Sequence, residues 1–187
     1  MRKLYAFNMV TLDAFFEGPN QDISWHNVDD EFNEFAIDQL KSTDTLVFGR
    51  VTYQMMASYW PTSDAIKNDP MVAGYMNRTP KIVVSRTLRN TDWNNTRLVK
   101  DYVAEEIAQL KQQPGKDIAV FGSANLLSTL IPLGLVDEHR IMINPVILGK
   151  GTPLFKNSKD KLDFKLVKTH TFGNGNVLLY YQPAKMS

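Results

Sequence analysis

Residues 3–10 alternate, with Leu4, Ala6 and Asn8 to one side and Tyr5, Phe7 and Met9 to the other, and a period of two predicts an opening strand. Gly18-Pro19-Asn20 then marks a turn within an irregular loop. Asn27 or Asp29 is placed to cap a helix in which Phe32, Phe35, Ala36 and Leu40 share one face. Residues 45–48 and 81–85 are short apolar runs ending at Gly49 and Ser85, the pattern of strands buried on both sides. Val103, Ile107 and Leu110 fall on one helical face, which Pro114-Gly115 terminates. Residues 117–121 form a third buried run, and Gly122-Ser123 leads from it directly into a helix carrying Leu126, Leu127, Leu130 and Ile131. A further strand covers 140–143, before Pro145. The closing segments 161–172 and 176–182 alternate around Gly173-Asn174-Gly175, which predicts an antiparallel hairpin.

Strands that alternate with helices and end in a hairpin define an α/β fold: one three-layer domain over residues 1–187, with a mixed, mostly parallel central sheet flanked by helices. The 187 residues suit one domain, and the longest polar stretch, 87–96, is too short for a linker. A net charge of +1, with no basic run, leaves no field to hold a polyanion, so nucleic acid is not an expected partner. No apolar stretch approaches the ~20 residues that span a bilayer, and the first residues turn polar too soon for a signal peptide, so a cytoplasmic location is expected. The chain has no cysteine, which excludes disulfides, thiolate metal sites and a cysteine nucleophile. His26, His139 and His170 fit no metal-ligand spacing, so no metal is expected. Asn94-Asn95-Thr96 is a glycosylation sequon without an export signal. The methionines at 55, 56, 71 and 76 read as core filling.

Three strands end in residues suited to a phosphate: Gly49-Arg50-Val51-Thr52-Tyr53, Ser85-Arg86-Thr87 and Gly122-Ser123-Ala124-Asn125. Ligands of open α/β sheets gather at the carboxyl ends of strands, where helix N-termini present unpaired N–H groups. Glycine lets backbone approach, and arginine pairs with phosphate in a forked geometry. Each turn alone is most simply a tight connection; the three together, two with arginine, point to a phosphorylated ligand. Neither Walker A nor GxGxxG is present, and Gly149-Lys150-Gly151 opens no obvious helix, so the ligand needs a different phosphate-binding fold.

These residues carry a resemblance. Thr11-Leu12-Asp13, Gly18-Pro19-Asn20, Ser24-Trp25, Phe48 through Tyr53, Val84-Ser85-Arg86-Thr87 and Phe121-Gly122-Ser123-Ala124 occur in one family's order. Leu133-Gly134-Leu135-Val136-Asp137-Glu138, then Asn144 through Gly151 and Leu154-Phe155, continue it. The chain resembles the dihydrofolate reductase-like superfamily, and more narrowly the stand-alone relatives of the C-terminal reductase domain of the bifunctional riboflavin-biosynthesis protein. The resemblance implies a reductase that binds NADPH across the carboxyl edge of the sheet. By carry-over, Gly49, Arg50 and Thr52 lie against the cofactor phosphates. Ser85 and Arg86 lie at the adenosine end, where Arg86 neutralises a 2′-phosphate. Gly122, Ser123, Ala124, Asn125 and Leu126 wrap the pyrophosphate.

On the substrate side the resemblance places Asp13, Trp25 and Asp30 beside the nicotinamide. Asp30 stands five residues after Trp25, as a pterin-binding carboxylate does in dihydrofolate reductases. Asp13 and Asp30 are the candidate catalytic carboxylates, with water the other source of a proton. Plain structural readings stand beside these: Asp30 in the first turn of a helix serves its dipole, and Asp13 caps its loop. No basic cluster for a sugar phosphate is visible. The expected activity is hydride transfer from NADPH to a small pteridine- or pyrimidine-like heterocycle. The alternative is a non-catalytic protein binding NADPH or a folate-like ligand, and a dimerising module without cofactor affinity stands third. A homodimer is expected to cover the apolar edge formed near the late hairpin.

Overall fold

The computed structural model describes residues 1–122, 124–155, 158 and 160–184. Eight strands make the central sheet: β1 (Leu4–Thr11), β3 (Thr43–Gly49), β4 (Lys81–Val84), β5 (Thr96–Val99), β6 (Asp117–Phe121), β7 (Glu138–Asn144), β9 (Phe164–Thr171) and β10 (Val177–Pro183). Their order is β5-β4-β3-β6-β1-β7-β10-β9. All pairs from β5 to β7 are parallel, and β10 runs antiparallel to both β7 and β9. The mixed, mostly parallel sheet with a terminal hairpin is the architecture expected from the sequence. A separate two-stranded ribbon pairs β2 (Phe15–Glu17) with β8 (Thr152–Pro153).

The alternation of β1 sorts the core. Leu4, Ala6 and Val10 pack on one sheet face with Ile107 of helix α5 (Val103–Gln112) and Leu127 and Leu130 of helix α6 (Ala124–Leu130). Tyr5 faces the other way, toward helix α1 (Asp30–Lys41), helix α2 (Arg50–Tyr59) and helix α4 (Pro70–Arg78), where Leu40, Tyr53, Val72 and Met76 meet. Of the two possible caps for α1, Asp29 is the one used: its carboxylate accepts from the Phe32 amide at 2.9 Å. Each large aliphatic side chain buried in this way contributes about 2 kcal/mol.

The structure adds elements that periodicity did not announce. Helix α3 (Ser63–Asn68) and α4 fill the span between α2 and β4, and β5 supplies an edge strand beyond the polar stretch 87–96. Trp93 lies within that stretch yet is buried, its indole N–H donating to Asn77 Oδ1 at 2.8 Å and its amide to the Tyr53 hydroxyl at 3.1 Å. Met76 is core, whereas Met71 is exposed, so the methionines are not uniformly core filling. Among the described residues no helix is long and apolar enough to cross a membrane.

Candidate functional site

Parallel strands send their carboxyl ends to one rim, so the connections after β3, β4, β5 and β6 meet there. They enclose a groove of about 600 Å³. The turn after β3 contributes Gly49, Arg50 and Thr52; the turn after β4 contributes Val84 and Arg86; the start of α6 contributes Ala124, Asn125 and Leu126. The three turns singled out in the sequence therefore do converge. At one end the β5–α5 connection adds Lys100, Asp101 and Tyr102. At the other, Phe16, Glu17 and Thr152 of the β2–β8 ribbon close the groove.

Capping sets two of the groove's helices, α2 and α5, apart from α1, α3 and α4. Helices α1, α3 and α4 each have a side-chain cap, supplied by Asp29, Thr62 and Asp69. The N-caps of α2 and α5, Gly49 and Tyr102, make no side-chain cap hydrogen bond, and both line the groove. An uncapped N-terminus leaves backbone donors and the positive end of a helix dipole for a ligand anion. At α5 this is countered by Glu105, an acidic first-turn residue that also lines the groove. Helix α2 has no acidic residue in its first turn and begins with Arg50, whose guanidinium donates to Gln54 Oε1 at 3.0 Å and is otherwise exposed. The α2 end is thus the more electropositive of the two.

The remaining predicted residues take other positions. Ser85 does not line the groove; it is buried, and its hydroxyl accepts from the amides of Thr87 and Leu88 at 3.2 and 3.0 Å, shaping the turn that presents Arg86. Gly122 has φ +67, and a Cβ there would lie 3.1 Å from Thr52 Oγ1 and 3.2 Å from the Phe16 ring. The absence of a Cβ lets the end of β6 lie against the first turn of α2. Ser123 lies outside the described residues.

The substrate-side residues do not gather on the groove. The Asp13 carboxylate accepts from the Thr11 hydroxyl at 2.6 Å and from the Leu148 and Gly149 amides at 3.2 and 2.7 Å. The Thr11 hydrogen bond, helped by these amides, holds its pKa below the ordinary aspartate value. Such a carboxylate clamps the loop after β7, the arrangement expected of a loop cap. Asp30 is exposed in the first turn of α1. Trp25 donates its indole N–H to the Asp22 carbonyl at 3.1 Å, stacks edge-on to His26 with centroids 4.5 Å apart, and packs against the cluster of Met9, Met142, Phe172 and Leu178. Beside it Phe7, Phe32, Phe35 and Phe172 form ring pairs 5.7 to 6.5 Å apart. Among the described residues no three His, Asp or Glu side chains are grouped to hold a metal ion.

The groove residues that sequence reasoning missed include Lys100, Asp101, Tyr102 and Glu105, together with Phe16, Glu17 and Thr152 of the ribbon. The signal for the first four was present: Leu98-Val99 followed by Lys100-Asp101 and a helix repeats the strand, charge, helix order of the other turns.

Comparison with known proteins identifies the family and the fold. The profile of the RibD C-terminal domain family matches residues 2–178. Two uncharacterized proteins of Bacillus subtilis (strain 168) are similar over 96% of this chain. YyaP is 38% identical, with 94% of its length covered, and YwjB is 26% identical, with 97% covered. A putative riboflavin biosynthesis protein from Shewanella sp. PV-4 superposes with TM-score 0.74 at 23% identity, over 98% of this chain and 99% of that one. The Thermotoga maritima diaminohydroxyphosphoribosylaminopyrimidine deaminase/5-amino-6-(5-phosphoribosylamino)uracil reductase gives TM-score 0.72 at 15% identity, over 98% of this chain and 57% of that longer one. Dihydrofolate reductase from Enterococcus faecalis, solved in complex with NADP(H), gives TM-score 0.63 at 16% identity, over 97% of this chain and 96% of that one.

Proposed function

The chain belongs to the RibD C-terminal domain family, and from that premise we propose that it is a reductase that binds NADPH in the rim groove and reduces a small, flat heterocycle of pyrimidine or pteridine type. The observation that carries the reading is the uncapped N-terminus of α2, which opens into the groove beside Arg50 and faces the turn that presents Arg86. Helix-end amides without a side-chain cap and a guanidinium suit a pyrophosphate, and Arg86 suits a phosphate on the adenosine ribose. The E. faecalis enzyme, of like fold, is a complex with NADP(H), and the T. maritima protein is a reductase of an aminouracil. Both support the class of cofactor and of substrate.

When bound, the reduced nicotinamide supplies the hydride. The chain's own work is to hold the pyrophosphate at Gly49, Arg50 and Thr52, to seat the adenosine at Arg86, and to shield the opposite end of the groove with Phe16 and Thr152. Asp13 orders the loop after β7, and the proton comes from water. The protein works as a homodimer in the cytoplasm.

Isothermal titration with NADPH tests the reading. Binding in the micromolar range, weakened about tenfold by Arg50→Ala, is the expected result; no heat at ~100 μM NADPH would overturn it. The packed aromatic cluster around Trp25 favours a second reading, a protein that binds NADPH without turnover. Loss of NADPH absorbance on addition of a panel of pyrimidines and pteridines distinguishes the enzyme from the binder.

A further inference from the structure

Strands β4 and β5 are in register, with Val84 opposite Val99, and the Ser85 amide donates to the Val99 carbonyl at 3.0 Å. Two residues beyond that register pair stand Arg86 after β4 and Asp101 after β5, so parallel pairing brings the two side chains together at the rim. Arg86 Nε lies 3.3 Å from Asp101 Oδ1. Both side chains line the groove and are largely open to solvent, 82% and 62% exposed. Asp101 precedes Tyr102, whose left-handed backbone (φ 54, ψ 37) turns the chain into α5 and leaves the carboxylate at the rim.

A guanidinium in such a place reads a ribose 2′-phosphate, and a carboxylate reads a ribose 2′-hydroxyl. Here the two are paired. A 2′-phosphate approaching Arg86 meets the Asp101 charge beside it, and that repulsion offsets part of the gain. A 2′-hydroxyl donates to Asp101 while the ion pair stays intact. The neighbouring charges, Lys100 and Glu105, are one of each sign and tip the balance neither way.

Resting on the dinucleotide reading above, we propose that Arg86 and Asp101 form a paired reader of the adenosine 2′ position, so that the groove accepts both NADPH and NADH with only a modest preference for the phosphorylated form. Arg86 answers the phosphate and Asp101 the hydroxyl. Asp101 is then a specificity-determining residue for the cofactor, and its removal sharpens selection rather than abolishing binding.

The test is the ratio of dissociation constants for NADH and NADPH, measured calorimetrically on the full chain and two variants. The expected wild-type ratio is below about tenfold. Asp101→Asn is expected to tighten NADPH and weaken NADH, widening the ratio about fivefold, the size of effect an exposed ion pair carries. Arg86→Ala is expected to weaken NADPH alone and bring the two to parity or invert them. Both dinucleotides binding the wild type, with a ratio that Asp101→Asn leaves unchanged, overturns the paired reader and leaves the cofactor reading standing. NADPH binding without detectable NADH binding also overturns the paired reader and leaves the cofactor reading standing, whereas failure of both dinucleotides to bind the wild type overturns the cofactor reading itself.

Discussion

His139 shows how much one side chain's surroundings settle. It is 2% exposed on β7, with the Phe164 ring 5.0 Å and the Phe155 ring 6.5 Å away, and neither ring nitrogen has a hydrogen-bond partner among the described residues. Burial pushes its pKa down to about 4 from an ordinary 6.5. Between those values the unfolded chain takes up a proton that the folded chain refuses, so stability falls as pH drops through that window and levels off below it. From pH 7 to pH 5 this residue accounts for about 2 kcal/mol. Urea unfolding of wild type and His139→Leu at both pH values is the check: the variant is expected to lose about that much less on acidification. His26 is likewise pushed down to about 4 by burial, so some pH dependence stays in the variant. An identical loss in both proteins would contradict the assignment. From the sequence His139 was only a histidine without a proposed partner at a strand start. Its neutral state is not legible there, because Phe155 and Phe164 reach it only through the chain's return.

At the scale of elements, helix α4 depends on a residue outside it. Lys81 opens β4 and is 2% exposed. Its ammonium donates to the carbonyls of Met76, Asn77 and Thr79 at 2.8, 3.0 and 2.7 Å and lies 4.5 Å over the Trp93 ring. These are carbonyls at the C-terminal end of α4, where a cation also suits the dipole. Lys81→Met keeps the length and removes all three donors, so a loss of about 2–3 kcal/mol is expected by chemical denaturation, with reduced helical circular dichroism. Unchanged stability would mean that water satisfies those carbonyls instead. The same region marks the limit of sequence reading. The apolar runs of β3, β4 and β6 were legible because strands covered on both faces contain little else. The hairpin was legible from its glycines, and α1 from Asp29 and its apolar face. Helices α3 and α4, of 6 and 9 residues, are too short to develop a visible period. In β5 only Leu98 and Val99 of its four residues are apolar. Missing β5 also concealed Asp101, and with it one end of the groove, whereas Gly49, Arg50, Thr52 and Arg86 followed from strands whose ends were plain.

The whole molecule divides its sheet between two tasks. The half from β5 to β6 carries the groove, and the half ending at β10 and β9 carries an uncovered surface. After Phe164 every residue of β9 is exposed, including Leu166 at 47% and Val167 at 52%. Between Tyr180 and Tyr181 the register skips Val167, a bulge, and Lys165 and Lys168 flank it. Bulges and lysines discourage edge-to-edge pairing, so the homodimer proposed above is expected to form through the face rather than the edge. Leu166 pairs with Tyr181, which pairs with His139, and Phe164 lies two residues away on the same side. With Phe155, 43% exposed beside His139, this makes an apolar face that a homodimer would bury. Leu166→Glu places a charge at its centre and is expected to convert a dimer into a monomer in multi-angle light scattering at micromolar concentration. The groove is built on the other half of the sheet, so NADPH affinity in that variant is expected to change less than about twofold. A wild-type protein that scatters at monomer mass would remove the dimer. A variant that dissociates and loses NADPH together would instead tie the two halves of the sheet into one unit.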